Sequence, residues 1–209
     1  MNKTKQCNKQ LLVEGNDDKH VVLALCEKYH ITENFNIVDC KGIKNLLAKE
    51  YISASFKQSG IDTIGIIIDA DTDLQARWNS LYNTLRSIGF NVPKNFPKEG
   101  LVIDNGTQKA GVWLMPDNIG KGMLEDFISF LISEDDPLLP IVEETLTEIE
   151  KQKLNKYSYE HKSKAKIHTW LAWQENPGTP LGQSITKNYL SPDKEICQQF
   201  MKWLSDLFK

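Results

Sequence analysis

The chain has 209 residues, of which 40% are hydrophobic and 25% are charged, and its formal net charge is −3. This composition is typical of one folded domain with a substantial core and argues against a disordered chain. It also carries no global basic signature, so any binding of nucleic acid must be local or must depend on a metal ion.

The cysteines and the apolar runs indicate in which cellular compartment the protein is expected. The four cysteines share no metal-ligand spacing, which argues against a structural zinc site, and we expect reduced thiols in a cytoplasmic protein. Residues 1–6 are basic but lead into only three apolar residues before Glu14. Because no run approaches the ~20 apolar residues of a membrane span, we expect neither a signal peptide nor contact with a membrane.

The first hundred residues alternate between strand-like and helix-like patterns. Short apolar runs predict strands, and apolar residues at helical spacing predict helices. The predicted strands are residues 11–13, 35–38 and 61–68, and the predicted helices are residues 17–29, 43–51 and 73–88. Repeated units of this kind indicate parallel strands that are joined by right-handed crossovers.

A different pattern follows the third unit. Residues 93–100 read as a loop, and two apolar runs at 101–103 and 111–115 flank Asp104-Asn105-Gly106, which predicts a β-hairpin. A helix is predicted from Gly122 to about residue 132. We therefore expect the parallel sheet to end in antiparallel strands.

The rest of the chain reads as helical. Helices are predicted at residues 140–156, 168–174 and 196–208, and the last is so apolar that we expect it to lie against the sheet. The predicted fold class is α/β, with a mostly parallel central sheet flanked by helices, a β-hairpin addition and a helical C-terminal extension. We predict a core at residues 1–135 and an extension at 136–209 that packs on it as one structural unit.

Acidic residues follow two of the predicted strands. Glu14 comes directly after the first strand, and Asp69 and Asp71 come at the end of the third. The carboxyl ends of parallel strands converge on one edge of a sheet, where ligands bind. Carboxylates gathered there are suited to Mg²⁺ or Mn²⁺, which prefer oxygen ligands. The alternative is that these acids cap helices, where the helix dipole favours negative charge.

Two groups of lysines are candidate phosphate contacts. Lys162, Lys164 and Lys166 lie in the one locally basic stretch, and Lys41 precedes Gly42 at the end of the second strand. A nucleic-acid backbone beside the metal site would pair with such cations, in a strongly salt-dependent way. The alternative for the three later lysines is a solvated helix face, and Gly42 can serve simply as a tight turn.

Together, Glu14 at one strand end and Asp69-x-Asp71 at another, in a βαβ frame, make the chain resemble the Toprim domain. That family includes bacterial-type primases, topoisomerases, ribosomal-RNA maturases and nucleases of the OLD (overcoming lysogenisation defect) group. The likeness to small stand-alone Toprim-like proteins covers nearly the whole chain, through segments such as 111–118, 122–126 and 177–182. The resemblance implies a Toprim/Rossmann-like fold.

The resemblance also implies roles for individual residues. Glu14 matches a glutamate assigned to metal binding or general acid-base work, and Asp69 and Asp71 match the metal-binding DxD, so these three would be catalytic. Asp18 and Glu125 match acidic positions of the OLD-type nucleases and would join the metal ligands. Each also falls near a predicted helix start, where an acid is favourable for the helix alone.

The implied function is a nuclease that acts on DNA or RNA with Mg²⁺ or Mn²⁺. The alternative is a non-enzymatic Toprim-like subunit that works beside a separate ATPase, because the sequence contains no G-x-x-x-x-G-K-[ST] loop of its own. Nucleotidyl transfer of the primase kind would need a nucleotide pocket and template-binding elements that the sequence does not show.

Overall fold

A computed structural model describes residues 7–209; residues 1–6, on which the expected absence of a signal peptide depends, lie outside them. Five strands of the described chain form one sheet. They are β1 (Lys9–Val13), β2 (Asn36–Asp39), β3 (Thr63–Asp69), β4 (Leu101–Asp104) and β5 (Lys109–Met115).

The sheet has the strand order β2-β1-β3-β5-β4. The pairs β1–β2, β1–β3 and β3–β5 are parallel, and β4 alone is antiparallel to its neighbour β5. This confirms the mostly parallel sheet and the hairpin that the sequence predicted. Because Val13 ends β1 and Asp69 ends β3, the acids that follow or end these strands stand at the same edge of the sheet.

Nine α-helices surround the sheet in residues 7–209. They are α1 (Asn16–Lys28), α2 (Ile43–Leu46), α3 (Lys49–Lys57), α4 (Leu74–Ser87), α5 (Leu124–Phe130), α6 (Leu138–Lys151), α7 (Lys162–Ala172), α8 (Leu181–Thr186) and α9 (Glu195–Phe208). A membrane-crossing helix is not found in this part of the chain, since none is both long and apolar enough.

The helices differ from the sequence prediction in four places. Helix α6 ends at Lys151 and not at residue 156, and α7 begins at Lys162, six residues before the predicted start. The single helix predicted at residues 43–51 is divided into α2 and α3, because Ala48 has an extended ψ of 118° and interrupts the hydrogen-bond ladder. Helix α8 was not predicted, since Pro177, Gly178 and Pro180 just before it gave the segment the composition of a loop.

The two faces of the sheet carry separate hydrophobic cores. Successive residues of a strand point to opposite faces, so Leu12 and Ile66 meet α2, α3 and α4, while Leu11 and Ile67 meet α1 and α5 to α9. The sheet is thus covered on both sides, as its apolar parallel strands require. The predicted division of the chain at residue 135 stays a prediction.

Helix α9 approaches the sheet very closely. Gly65 and Gly111 are register partners on β3 and β5, and the side chain of Leu207 lies over both. A Cβ atom would come within 2.8 Å of Leu207 at Gly65 and within 2.5 Å at Gly111. Neither glycine has a positive φ. The glycines are therefore needed for space and not for backbone conformation.

Candidate functional site

Five carboxylates from four parts of the chain meet at the carboxyl edge of the sheet. The pKa of Asp69 is raised first by burial and then by the negative charges of the other four, so all four lie near enough to act on it. These four are Asp18, Glu14, Glu125 and Asp71. The structure therefore brings together all five acids that the sequence analysis selected.

Asp69 is held by the start of α5. Its Oδ1 accepts a hydrogen bond from the Leu124 backbone N–H at 2.9 Å. The first N–H groups of a helix have no partner within the helix, so a carboxylate is a favourable acceptor there. Even so, burial and the neighbouring acids hold the pKa of Asp69 well above its usual value. Its carboxyl group is fixed in position but poorly compensated in charge.

Asp71 is positioned by an unusual backbone. Its φ is 51°, in the left-handed region, and its backbone exchanges two hydrogen bonds of 2.8 Å with Gly122. This bridge ties the loop after β3 to the loop before α5. The Arg77 guanidinium, from the first turn of α4, donates to Asp71 Oδ2. Asp71 is thus the acid of the cluster that holds an arginine as its counter-ion.

Glu14 carries an unsatisfied oxygen. Its Oε2 is buried and has no hydrogen-bond partner among the residues the structure describes. Burial, then the charge of Asp71, raises the pKa of Glu14, and a hydrogen bond from the Asp69 backbone and then the Arg77 charge oppose the rise only in part. A buried carboxylate oxygen without a partner is costly unless a proton, a water or a cation satisfies it.

Asp18 is almost fully buried in the first turn of α1. Its Oδ2 accepts from the Gly15 N–H at 2.9 Å, which is the hydrogen bond of a helix-capping acid. Burial raises its pKa to about 7, and the Gly15 hydrogen bond opposes this only partly. Capping therefore explains one oxygen of Asp18, but not why the group is buried beside Glu14.

Glu125 is the acid of the cluster that holds a lysine. It lies in the first turn of α5 with 4% of its surface exposed, and its Oε1 is 2.9 Å from Lys164 Nζ on α7. Burial acts to lower the pKa of Lys164, but the hydrogen bond and charge of Glu125 outweigh it, so the pKa is raised. The lysine remains charged beside the acids.

The other selected lysines are paired with acids outside the cluster. Lys41 is exposed after β2 and bonds to Asp39 at 2.6 Å. Lys162 and Lys166, on α7 with Lys164, pair with acids of α6: Glu150 at 2.7 Å and Glu143 at 3.6 Å, respectively. Their contact with nucleic acid stays a prediction.

The acid cluster fits a divalent cation by its chemistry. The carboxylates offer the oxygen ligands that such an ion prefers. Its positive charge would also relieve the mutual repulsion of the acids and satisfy Glu14 Oε2. In residues 7–209, however, no three His, Cys, Asp or Glu side chains are arranged so that they could hold a metal in their present positions. Binding would require side chains of the cluster to turn toward the ion.

Two features of the site were missed from the sequence. Gly122 was taken only as a helix opening, yet its backbone fixes Asp71. Arg77 was not selected at all. It is one of only two arginines in the chain and lies one helical turn after Asp73, which caps α4. An arginine that follows an acidic pair by a few residues could have been predicted to pair with one of the acids.

The fold and the site define an α/β protein with an acidic cluster at the carboxyl edge of a parallel sheet. Residues 8–209 match the family described as "Protein of unknown function (DUF3226)", and the chain belongs to that family.

The solved structures similar to this chain include two of the C-terminal region of the Xanthomonas campestris pv. campestris OLD protein, one phased with mercury and one with iodine. Each is 14% identical, covers 98% of this chain and 97% of that chain, and has a TM-score of 0.47. No curated protein matches the sequence.

Proposed function

We propose that the protein is a nuclease that hydrolyses phosphodiester bonds of DNA or RNA and depends on Mg²⁺ or Mn²⁺. The observation that supports this most directly is the cluster of five carboxylates, in which every other member raises the pKa of Asp69. The resemblance of the Glu14 and Asp69-x-Asp71 motifs to the Toprim domain supports the same function.

Asp69, Asp71 and Glu14 would hold the cation, with Asp18 and Glu125 completing the site. When bound, the ion supplies a Lewis acid that polarises the scissile phosphate and lowers the pKa of the attacking water. Asp69 is already oriented by the Leu124 N–H, and Asp71 is oriented by its backbone bridge.

The chain's own groups supply the remaining chemistry. Glu14 has a raised pKa, which suits it to take the proton of the attacking water, or it binds a second ion. Lys164 places a positive charge at the edge of the cluster, where it would stabilise the negative charge that grows on the phosphate.

The test is cleavage of end-labelled DNA and RNA by the purified chain with Mg²⁺, Mn²⁺ or EDTA. We expect cleavage only with metal, and a loss of at least about 100-fold in Glu14→Gln and in the double variant Asp69→Asn/Asp71→Asn. Asp104→Asn is the matched control. It also ends an apolar strand, β4, but its register partner Lys109 begins β5, so it lies at the opposite edge of the sheet.

Two results would contradict the proposal. One is the absence of metal-dependent cleavage by the wild-type protein on every substrate form. The other is cleavage that survives in Glu14→Gln and in the double variant, since this would indicate a contaminating nuclease or a different site.

A further inference from the structure

A groove leads away from the acid cluster. It begins at Asp71, has a volume of about 720 Å³, and passes between the loop before α5 and the helices α6 and α7. Its volume is within the range of sites that bind small molecules, about 300–1,000 Å³. Because Asp71 lines the groove and also belongs to the acid cluster, a ligand in the groove would adjoin one bound at the acids, and this volume could enclose only a short segment of a strand.

The charges of the groove disfavour a duplex. Four cations and four acids line it; the cations are Arg77, Lys121, Lys162 and Lys166, and the acids are Asp71, Asp126, Glu143 and Glu160. Of these four cations, Arg77, Lys162 and Lys166 form ion pairs within residues 7–209, and Lys121 does not. Duplex binding draws on neutralisation of many phosphates, which a chain with a net charge of −3 and this balanced groove does not offer.

An exposed aromatic ring stands at the groove. Tyr159, in the 3-10 turn Tyr159–His161 before α7, is 78% exposed. Single exposed aromatic residues are common on protein surfaces. Tyr159 differs because it lines the same groove as Asp71 and Lys121. Single strands are bound largely by stacking of bases on aromatic rings, worth about 1–3 kcal/mol per base.

We propose that this groove binds a single-stranded segment of nucleic acid that continues from the phosphate at the acid cluster. Tyr159 stacks on a base of that segment, and Lys121 pairs with one of its phosphates. The inference rests on the proposed function for the position of the scissile phosphate, and it adds the form of the substrate. The shared chemistry of DNA and RNA single strands is what the groove recognises.

The test is equilibrium binding of fluorescein-labelled oligonucleotides in Ca²⁺, which replaces Mg²⁺ so that binding is measured without turnover. Single-stranded DNA, single-stranded RNA and a blunt duplex of the same sequence are compared. We expect a single strand to bind at least tenfold more tightly than the duplex. Tyr159→Ala should weaken its binding at least fivefold, Tyr159→Phe should retain it, and Lys121→Ala should weaken it and reduce its salt dependence.

Two surface variants outside the groove serve as controls. Trp173→Ala removes a ring that is 41% exposed, and Lys57→Ala removes an exposed lysine at the end of α3. Neither should change binding. The DNA and RNA arms show which of the two strands is preferred.

The outcomes separate the two proposals. Duplex binding as tight as single-strand binding, or full binding by Tyr159→Ala, overturns the groove assignment even where metal-dependent cleavage is present. Binding that depends on Tyr159 without any cleavage in Mg²⁺ or Mn²⁺ supports the groove and contradicts the nuclease. A lack of binding by every oligonucleotide overturns the groove assignment.

Discussion

Burial changes the behaviour of individual carboxylates in this site, and Asp18 shows the effect most clearly. Its pKa rises from 3.8 to about 7 in the folded protein. A raised pKa means that the stabilising contribution is complete below the unfolded pKa and is lost as pH rises through the folded pKa. The metal-free protein should therefore lose stability between about pH 4 and pH 7, by roughly 4 kcal/mol for a shift of about three units.

Asp18→Asn tests this directly. The amide oxygen can still accept the Gly15 hydrogen bond but carries no charge. In EDTA we expect the variant to melt above wild type at about pH 8 and close to it at about pH 4, as measured by thermal denaturation. Asp17→Asn, an exposed neighbour in the same turn, is the control. A difference that is equal at both pH values would contradict the ionisation of Asp18 as its cause.

Arg77 is the counter-ion of Asp71, and a metal ion bound by Asp71 would have to replace it. Since its guanidinium donates to Asp71, binding of a divalent ion by Asp71 would compete with this pair. We expect Arg77→Met to bind Mn²⁺ about two- to fivefold more tightly, because a partly exposed pair is worth at most about 1 kcal/mol. Titration calorimetry measures the change.

The control for Arg77 is Arg86→Met, on the same helix, where the guanidinium contacts Tyr82 instead of the acid cluster. If Arg77→Met binds Mn²⁺ more weakly than wild type, the arginine orients Asp71 for the ion and does not compete with it.

At the scale of elements, α9 fixes how the sheet is covered. Its Leu207 fills the space above two facing glycines, so the helix lies nearer to β3 and β5 than it could over larger residues. The Trp203 indole also donates to the Leu101 carbonyl at 2.9 Å, which ties the same helix to β4. Three strands are thus held by one helix.

Gly111→Ala should destabilise the protein through this contact. The added methyl group would meet Leu207 at 2.5 Å, and overpacking of this kind typically costs about 1–3 kcal/mol. Urea denaturation measures the loss. In a double-mutant cycle with Leu207→Ala, the combined loss should be smaller than the sum of the single losses. An additive cycle would show that the two side chains do not clash.

Much of this arrangement is visible in the sequence, and the reasons for the exceptions are physical. Glu14 and Asp69 come directly after, or at the end of, apolar runs, so a parallel sheet places them at one edge. The pairing of Glu125 with Lys164 could not be predicted, because it depends on how α7 packs against α5. The break at Ala48 was also hidden, since the apolar residues on both sides of it keep helical spacing.

At the scale of the whole molecule, the acidic edge is a local concentration of charge that the rest of the fold supports. The hydrophobic cores on both faces of the sheet hold the strand ends in place although the acids repel. A bound divalent ion would remove this repulsion, and the gain would appear as stability of the entire domain.

Mn²⁺ should therefore raise the melting temperature of the wild-type protein. At 100 times the dissociation constant the expected gain is about 2.7 kcal/mol, or roughly 5–10 °C for a chain of this size. Asp69→Asn/Asp71→Asn should melt higher than wild type in EDTA, because repulsion is reduced, and should not respond to Mn²⁺. Scanning calorimetry at several metal concentrations gives both values, and equal metal responses of the two proteins would contradict the shared site.

The position of α9 also affects how the protein folds during synthesis. The strands that it covers all precede it in the chain, so they can pair on the ribosome while the strip above Gly65 and Gly111 still has no helix over it. Until α9 has been translated, this apolar face is open to water and to other nascent chains. We therefore expect any need for chaperones to be greatest in the interval between synthesis of β5 and of α9.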